Sequence, residues 1–159
     1  MKGLIKIVLA ALIFTSSVSV YAQQPANVES AVNVMVSKYD DIDGVSCMTV
    51  GKGSGLNMVK SMFNKQFGKS FMKGVTSITI IEYSDASEET CTALRNDMDI
   101  FLSLLKEFDI SKEKQFSDNK FLRCFASEAE SGTLTDFVIA IENDNSKMFM
   151  YMAGKIKVE

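Results

Sequence analysis

The residue types that carry most protein chemistry are unevenly represented in this chain, which has 20 Asp and Glu residues and three Cys but no His. Without imidazole there is no Ser-His-Asp or Cys-His nucleophile pair and no His-ligated zinc. Hydrolysis by two carboxylates remains open, because glycosidases need only two acids at a set separation. No spacing of acids marks such a pair. We therefore expect no catalytic residues, no metal, no cofactor and a non-enzymatic role, with a carboxylate-based hydrolase as the alternative.

The three cysteines differ in their surroundings. Cys91 shares a helical apolar stripe with Leu94 and Met98, which predicts a buried free thiol. Cys47 and Cys124 both lie in predicted strands, and they could form a disulfide if those strands are neighbours with matching faces. Three buried thiols without a redox role are the alternative.

Three methionines alternate near the end of the chain, at Met148, Met150 and Met152. On a strand these side chains share one face, and thioether sulfurs are soft ligands suited to Cu(I). Adaptable apolar side chains that fill a strand face produce the same pattern. Copper handling is thus a weaker alternative function.

Two further motifs resemble ligand loops without completing one. The run Gly51-Lys52-Gly53-Ser54-Gly55 is G-x-G-x-G, whereas the dinucleotide fingerprint is G-x-G-x-x-G. We interpret it as a flexible strand-to-helix connection. Asp41-Ile42-Asp43-Gly44 resembles the start of a calcium loop, but Tyr39 and Val50 would then occupy positions that need acids. An exposed acidic turn is the better interpretation.

The N-terminus has the three parts of a secretory signal peptide. Lys2 and Lys6 precede a short apolar run at 7–14, and Val20 and Ala22 suit the peptidase subsites. The apolar run is too short to span a bilayer comfortably, which takes about 20 residues. Residues 1–22 are therefore predicted to be removed, leaving a periplasmic or secreted protein without a membrane anchor.

The mature chain is predicted to be a single domain over residues 23–159. Of the 17 basic residues two leave with the signal, so 15 remain against 20 acidic residues, a net charge of −5. With no basic excess, nucleic-acid binding is disfavoured. The only proline, Pro25, lies at the mature N-terminus, so no proline-rich linker divides the chain.

The hydrophobic pattern predicts helices and strands in a definite order. Helical spacing covers 27–39, 56–67 and 87–105, and β-type runs cover 45–50 and 75–83. Three short runs separated by turn residues follow, at 121–126, 134–142 and 147–153. We predict an α+β fold in two layers, with three helices on one face of a mixed, largely antiparallel sheet that ends in a hairpin meander.

Both faces of the predicted meander are apolar. Helices on one side would leave the other face uncovered, and such a face usually requires a partner. The candidate interaction face consists of Phe125, Val138, Phe149 and Tyr151. The expected function is binding of a small ligand or an envelope protein, or self-association, through this apolar sheet face.

The order of elements resembles small exported proteins of gut Gram-negative anaerobes that contain a domain of unknown function. The matching segments are Tyr39-Asp40-Asp41-Ile42-Asp43-Gly44-Val45, the Met-rich helix at 56–62, the strand at 78–83 and the closing strand at 148–154. The resemblance implies an envelope location and a fold, and it assigns no site residues.

Overall fold

A computed structural model describes residues 27–67, 72–108, 122–130 and 133–157. The predicted signal peptide and its cleavage point lie outside these ranges. The described part contains three helices and six strands, which confirms the α+β class. In chain order the elements are α1 (Val28–Tyr39), β1 (Ser46–Val50), α2 (Ser54–Phe67), β2 (Gly74–Glu82), α3 (Glu88–Leu102), β3 (Lys106–Phe108), β4 (Leu122–Glu130), β5 (Thr133–Asn143) and β6 (Ser146–Lys157).

The helices begin where capping residues accept otherwise unpaired backbone N–H groups. The side chain of Asn27 accepts a hydrogen bond from Ser30 N at 2.7 Å at the start of α1. Ser87 accepts one from Thr90 N at 3.2 Å at the start of α3, where Glu88 and Glu89 also favour the positive helix end. None of the helices in these ranges has the length and apolar character needed to cross a membrane.

The six strands form one sheet in the order β1-β2-β6-β5-β4-β3. Every strand pair in the described part is antiparallel, so the expectation of a mixed sheet is wrong. The connection through α2 returns the chain to the same end of the sheet, because Val50 at the end of β1 pairs with Ile78 near the start of β2. The resulting neighbours run in opposite directions.

The third helix is shorter than its apolar stripe indicates. It ends at Leu102, and the chain enters the short strand β3, which pairs with β4. The turn between β5 and β6 lies at the turn residues expected from the sequence. There Asn143 Oδ1 accepts hydrogen bonds from the backbone N–H groups of Asn145 and Ser146 at 2.9 and 2.8 Å.

Each face of the sheet packs against helices, so the expectation that all three helices cover one face is also wrong. On the first face, Ile81 and Val138 join a core cluster with side chains of α1 and α3, such as Met35 and Leu94. On the second face, Leu56 of α2 belongs to a separate cluster with Ile78, Cys124, Phe137, Ile139, Met150 and Met152. The two helix layers explain why both sets of alternating strand residues are apolar.

Strand β6 is flanked by irregularities on both sides near Gly154. The pairing with β2 shifts between Val75 and Ser77, and the pairing with β5 shifts between Thr135 and Phe137. Asp136, inside the second shift, has a positive φ of 52°. Gly154 has φ +116°, and a Cβ on it would lie 2.2 Å from the carbonyl oxygen of Gly74, so only glycine fits there.

Candidate functional site

The four residues of the expected interaction face lie in the core. Phe125, Val138, Phe149 and Tyr151 are at most 4% exposed and belong to the cluster that includes α1 and α3. They do share one face, as alternation predicts, but the protein's own helices cover that face. The expectation that these four side chains form a free surface for a partner or a second copy is therefore wrong.

The condition for a possible disulfide between Cys47 and Cys124, neighbouring strands with matching faces, is not met. All three cysteines are free thiols, and Cys47 and Cys124 lie four strands apart in the sheet, about 19 Å at ordinary strand spacing. They also lie on opposite faces, since Cys47 packs against the α1 and α3 cluster and Cys124 belongs to the α2 cluster. Burial raises the pKa of Cys124 to about 12, which makes its thiol unreactive at neutral pH.

Cys91 is fully buried, as its place on the helix stripe predicts. Its sulfur lies 3.7 Å from the carbonyl oxygens of Tyr83 and Ala86 and accepts a hydrogen bond from Lys147 Nζ at 3.3 Å.

The three alternating methionines share the second face, where they fill space among isoleucines. Met150 and Met152 are buried and Met148 is half-buried in the α2 cluster. Within the described ranges, no group of three or more His, Cys, Asp or Glu side chains is arranged to hold a metal ion. This packing accounts for the methionine pattern without a metal.

Among the residues that the structure describes, a cleft lies between α3 and the first face of the sheet, and we call it the Tyr83 cleft. It encloses about 180 Å³. Its lining consists of Tyr83, Arg95, Met98, Asp99, Leu102, Arg123, Ala140 and Glu142. The four α3 residues among them are spaced i, i+3, i+4 and i+7, which places them on one side of the helix.

The cleft exists because a small residue lies between two large ones on the sheet. Ala140 of β5 pairs with Phe149 on one side and with Arg123 on the other. Its methyl group leaves a gap that larger side chains fill at neighbouring positions on the same face, such as Val138. Met98 and Leu102 close the gap from the helix side.

Ion pairs hold the two guanidinium groups at the rim. Arg95 donates from Nε to Glu142 at 2.5 Å and from Nη1 to Glu88 at 3.2 Å. Arg123 donates from Nε and Nη2 to the two carboxylate oxygens of Glu107, at 3.0 and 3.4 Å, and lies over the Phe125 ring. Each guanidinium group is therefore paired with at least one carboxylate, and the hydrogen bonds fix its orientation.

The Tyr83 hydroxyl has no hydrogen-bond partner among the residues of the described ranges, although the residue is only 1% exposed. Tyr83 lines the cleft together with Glu142 and Arg95, whose charges act on its hydroxyl. Burial, and secondarily the negative charge of Glu142, raises the pKa of Tyr83 well above its usual value. The phenol therefore stays neutral, able both to donate and to accept a hydrogen bond.

A second buried polar cluster has a structural role. Asp97 on α3 accepts hydrogen bonds from Lys38 Nζ at 2.5 Å and from the Tyr39 hydroxyl at 2.6 Å, which ties α1 to α3. Burial lowers the pKa of Lys38, but the hydrogen bond and the charge of Asp97 outweigh this effect and raise it overall. Burial and the same carboxylate raise the pKa of Tyr39 to about 12. This carboxylate is thus held by two partners, which makes it a poor candidate for a hydrolytic acid.

No family model matches this chain, and no curated protein and no solved structure matches it. Its function is therefore inferred from the residues of the cleft.

Sequence reasoning did not identify the cleft, because its residues come from three elements, α3, β4 and β5, and from the segment after β2. One local signal was present: Arg95 and Asp99 interrupt the α3 stripe beside Met98 and Leu102, which places charges next to the apolar side of a helix. That Arg123, Ala140 and Glu142 lie opposite them depends on strand order and register.

Proposed function

We propose that this protein is a non-enzymatic binding protein of the cell envelope and that the Tyr83 cleft holds its ligand. The observation that carries the proposal is the buried Tyr83 hydroxyl, which faces the cleft without a hydrogen-bond partner in the described part of the chain. Because Tyr83 lines the cleft, an occupant of the cleft can hydrogen-bond this hydroxyl, in a site with an apolar floor and a charged rim.

Binding is a better account of the cleft than catalysis. Glu142, a carboxylate in the lining of the cleft, is held in an ion pair with Arg95, so it is not a free acid or base. Tyr83 keeps its proton at neutral pH because of its raised pKa, so it is unsuited to act as a base. The chain has no histidine to take either role. The envelope location is supported by the signal-peptide pattern of residues 1–22.

The size of the cleft limits the ligand. Its volume of about 180 Å³ is below the roughly 300–1,000 Å³ of sites for drug-sized ligands. The occupant is accordingly a small molecule or one side chain of a partner protein.

A fragment screen observed by NMR tests the proposal. The protein is labelled in the methionine methyl groups and tyrosine rings, and a library of small soluble fragments is added. We expect saturable shifts at Met98 and Tyr83, which line the cleft. Ala140→Leu should fill the gap and abolish these shifts.

The matched control is Ala93→Leu, the same substitution at an exposed position of α3. It should leave the shifts unchanged. If Ala140→Leu does not fold, Tyr83→Phe provides the second variant, because it removes only the hydroxyl. Fragments that bind only elsewhere, or that bind both cleft variants as well as the native protein, would contradict the proposal.

A further inference from the structure

We infer that the Tyr83 cleft selects a ligand with a protonated amine on a short apolar stem. The inference rests on the proposed binding function and names the chemistry of the ligand. Three observations carry it: the ion pairs at the rim, the oxygen atoms that face the cleft, and the apolar floor.

The guanidinium groups of the cleft already have carboxylate partners. The charged residues of the lining are Arg95 and Arg123 against Asp99 and Glu142. Glu88 and Glu107, which lie outside the lining, also pair with these guanidinium groups. Each guanidinium is already hydrogen-bonded to one or two of these carboxylates. An anionic ligand would have to displace those partners, whereas a cation adds to the cluster without breaking a pair.

Asp99 is the carboxylate of the cleft lining that takes no part in these ion pairs. It lines the cleft from α3, and no hydrogen bond or ion pair joins its side chain to any described residue. Burial is the main cause of the raised pKa of Tyr83, and the Glu107 hydrogen bond is the main cause of the raised pKa of Arg123; the negative charge of Asp99 makes a minor contribution to each. Asp99 is therefore placed to accept hydrogen bonds from a bound cation.

An ammonium group matches the acceptors of the cleft. It has three N–H donors and no acceptor, and Asp99, the Tyr83 hydroxyl oxygen and the second carboxylate oxygen of Glu142 can accept from them. The stem of the ligand would lie against Met98, Leu102 and Ala140, which form the apolar floor. The same chemistry is offered by a free alkylamine and by the lysine side chain of a partner protein.

Three probes of one shape and different charge test the inference. Butylammonium, butyrate and butanol are titrated separately into the labelled native protein, and the Met98 methyl and Tyr83 ring signals are followed. We expect saturable binding of butylammonium at least about tenfold tighter than that of the other two, as expected for one additional charge-assisted hydrogen bond. Asp99→Asn should weaken butylammonium binding by about the same factor.

Glu89→Gln is the matched control, because it removes one carboxylate from an exposed position of the same helix outside the cleft. It should leave the affinity unchanged. Titration with a diamine and with Nα-acetyl-lysine amide then distinguishes the sources. Tighter binding of the capped lysine points to a protein partner, and tighter binding of the diamine points to a free amine.

The outcomes separate this inference from the proposed function. Butyrate that binds at the Tyr83 and Met98 signals at least as tightly as butylammonium would overturn the preference for a cation and leave the binding cleft in place. Equal binding of butylammonium to native protein and Asp99→Asn would also overturn it. If none of the probes and no fragment of the library perturbs these signals, both proposals fail.

Discussion

Two buried tyrosines, Tyr39 and Tyr83, differ in what their hydroxyl groups contact. The Tyr39 hydroxyl donates to the buried carboxylate of Asp97, while the Tyr83 hydroxyl faces the cleft. A hydrogen bond to a charged group contributes about 1.5–3 kcal/mol to stability. An unpaired hydroxyl contributes nothing comparable, so the same substitution should have different effects at the two positions.

We therefore expect Tyr39→Phe to lower the free energy of unfolding by about 1.5–3 kcal/mol. Tyr83→Phe should change it by no more than about 0.5 kcal/mol. Urea denaturation of the two variants and the native protein measures both values. A loss for Tyr83→Phe as large as that for Tyr39→Phe would show that the Tyr83 hydroxyl has a structural partner.

Stability should also fall in alkaline solution. The pKa values of Lys38 and Tyr39 are both raised in the folded protein, to about 12 for Tyr39, so their stabilising contribution is complete below their ordinary values near 10. This stabilising contribution is lost as the pH rises through the pKa values that Lys38 and Tyr39 have in the folded protein. Buried Tyr83 and Tyr151, whose pKa values burial also raises, act in the same direction.

Denaturation measured at several pH values from about 8 to 12 checks this prediction. The free energy of unfolding should decline above about pH 10, and tyrosinate absorbance from the three buried rings should rise only as the protein unfolds. The Tyr39→Phe variant should show a shallower decline. Early ionisation of all the tyrosines in a folded protein would contradict the burial of these hydroxyls.

Among the elements, strand β6 depends most on a single residue. Alanine at Gly154 would place a Cβ 2.2 Å from a backbone oxygen, in a conformation with φ +116° that L side chains rarely adopt. We expect Gly154→Ala to cost at least about 2 kcal/mol of stability, through backbone strain and displacement of β2.

Gly51→Ala is the matched control, because nothing lies within 4 Å of a Cβ at that position and its φ is not in the strained range. It should change stability by no more than about 0.5 kcal/mol. Thermal or urea unfolding compares the two variants. Equal effects would show that the β2 and β6 backbones separate readily at this point.

The arrangement of strands also predicts the state of the cysteines. Because Cys47 and Cys124 lie on non-adjacent strands and opposite faces, alkylation of the denatured, non-reduced protein should add three labels. Mass spectrometry counts them, and a single label would reveal a disulfide. In the native protein Cys91 should label slowly, since it is fully buried.

At the scale of the whole molecule, we predict export of the chain and removal of residues 1–22. Val20 and Ala22 suit signal peptidase, so the mature chain should begin at Gln23. Intact mass of protein recovered from the periplasm or the medium measures this. Protein that retains Met1 and stays with the membrane fraction would contradict both cleavage and the proposed envelope role.

The helices and strands of this protein follow largely from residues that are close to each other in the chain. The apolar spacing of α1 and α3, with Asn27 and Ser87 at their starts, depends on residues within a few positions of each other. The β-branched run of β2 and the Asn143 turn before β6 also depend only on residues that are close in the chain. The absence of histidine is likewise a property of composition alone.

The coverage of the sheet faces by helices and the position of the cleft depend on packing between segments that are distant in the chain. Alternation predicted that Phe125 and Val138 share a face with Tyr151, but it contains no information on which helix lies above them. The crossover through α2 to the second face, the antiparallel pairing of β1 with β2 and the three strands between the cysteines are long-range outcomes. The cleft also depends on long-range packing, because Ala140 leaves a gap only where Met98 and Leu102 of α3 lie above it. Such placements result from packing between segments distant in the chain, which local periodicity does not encode.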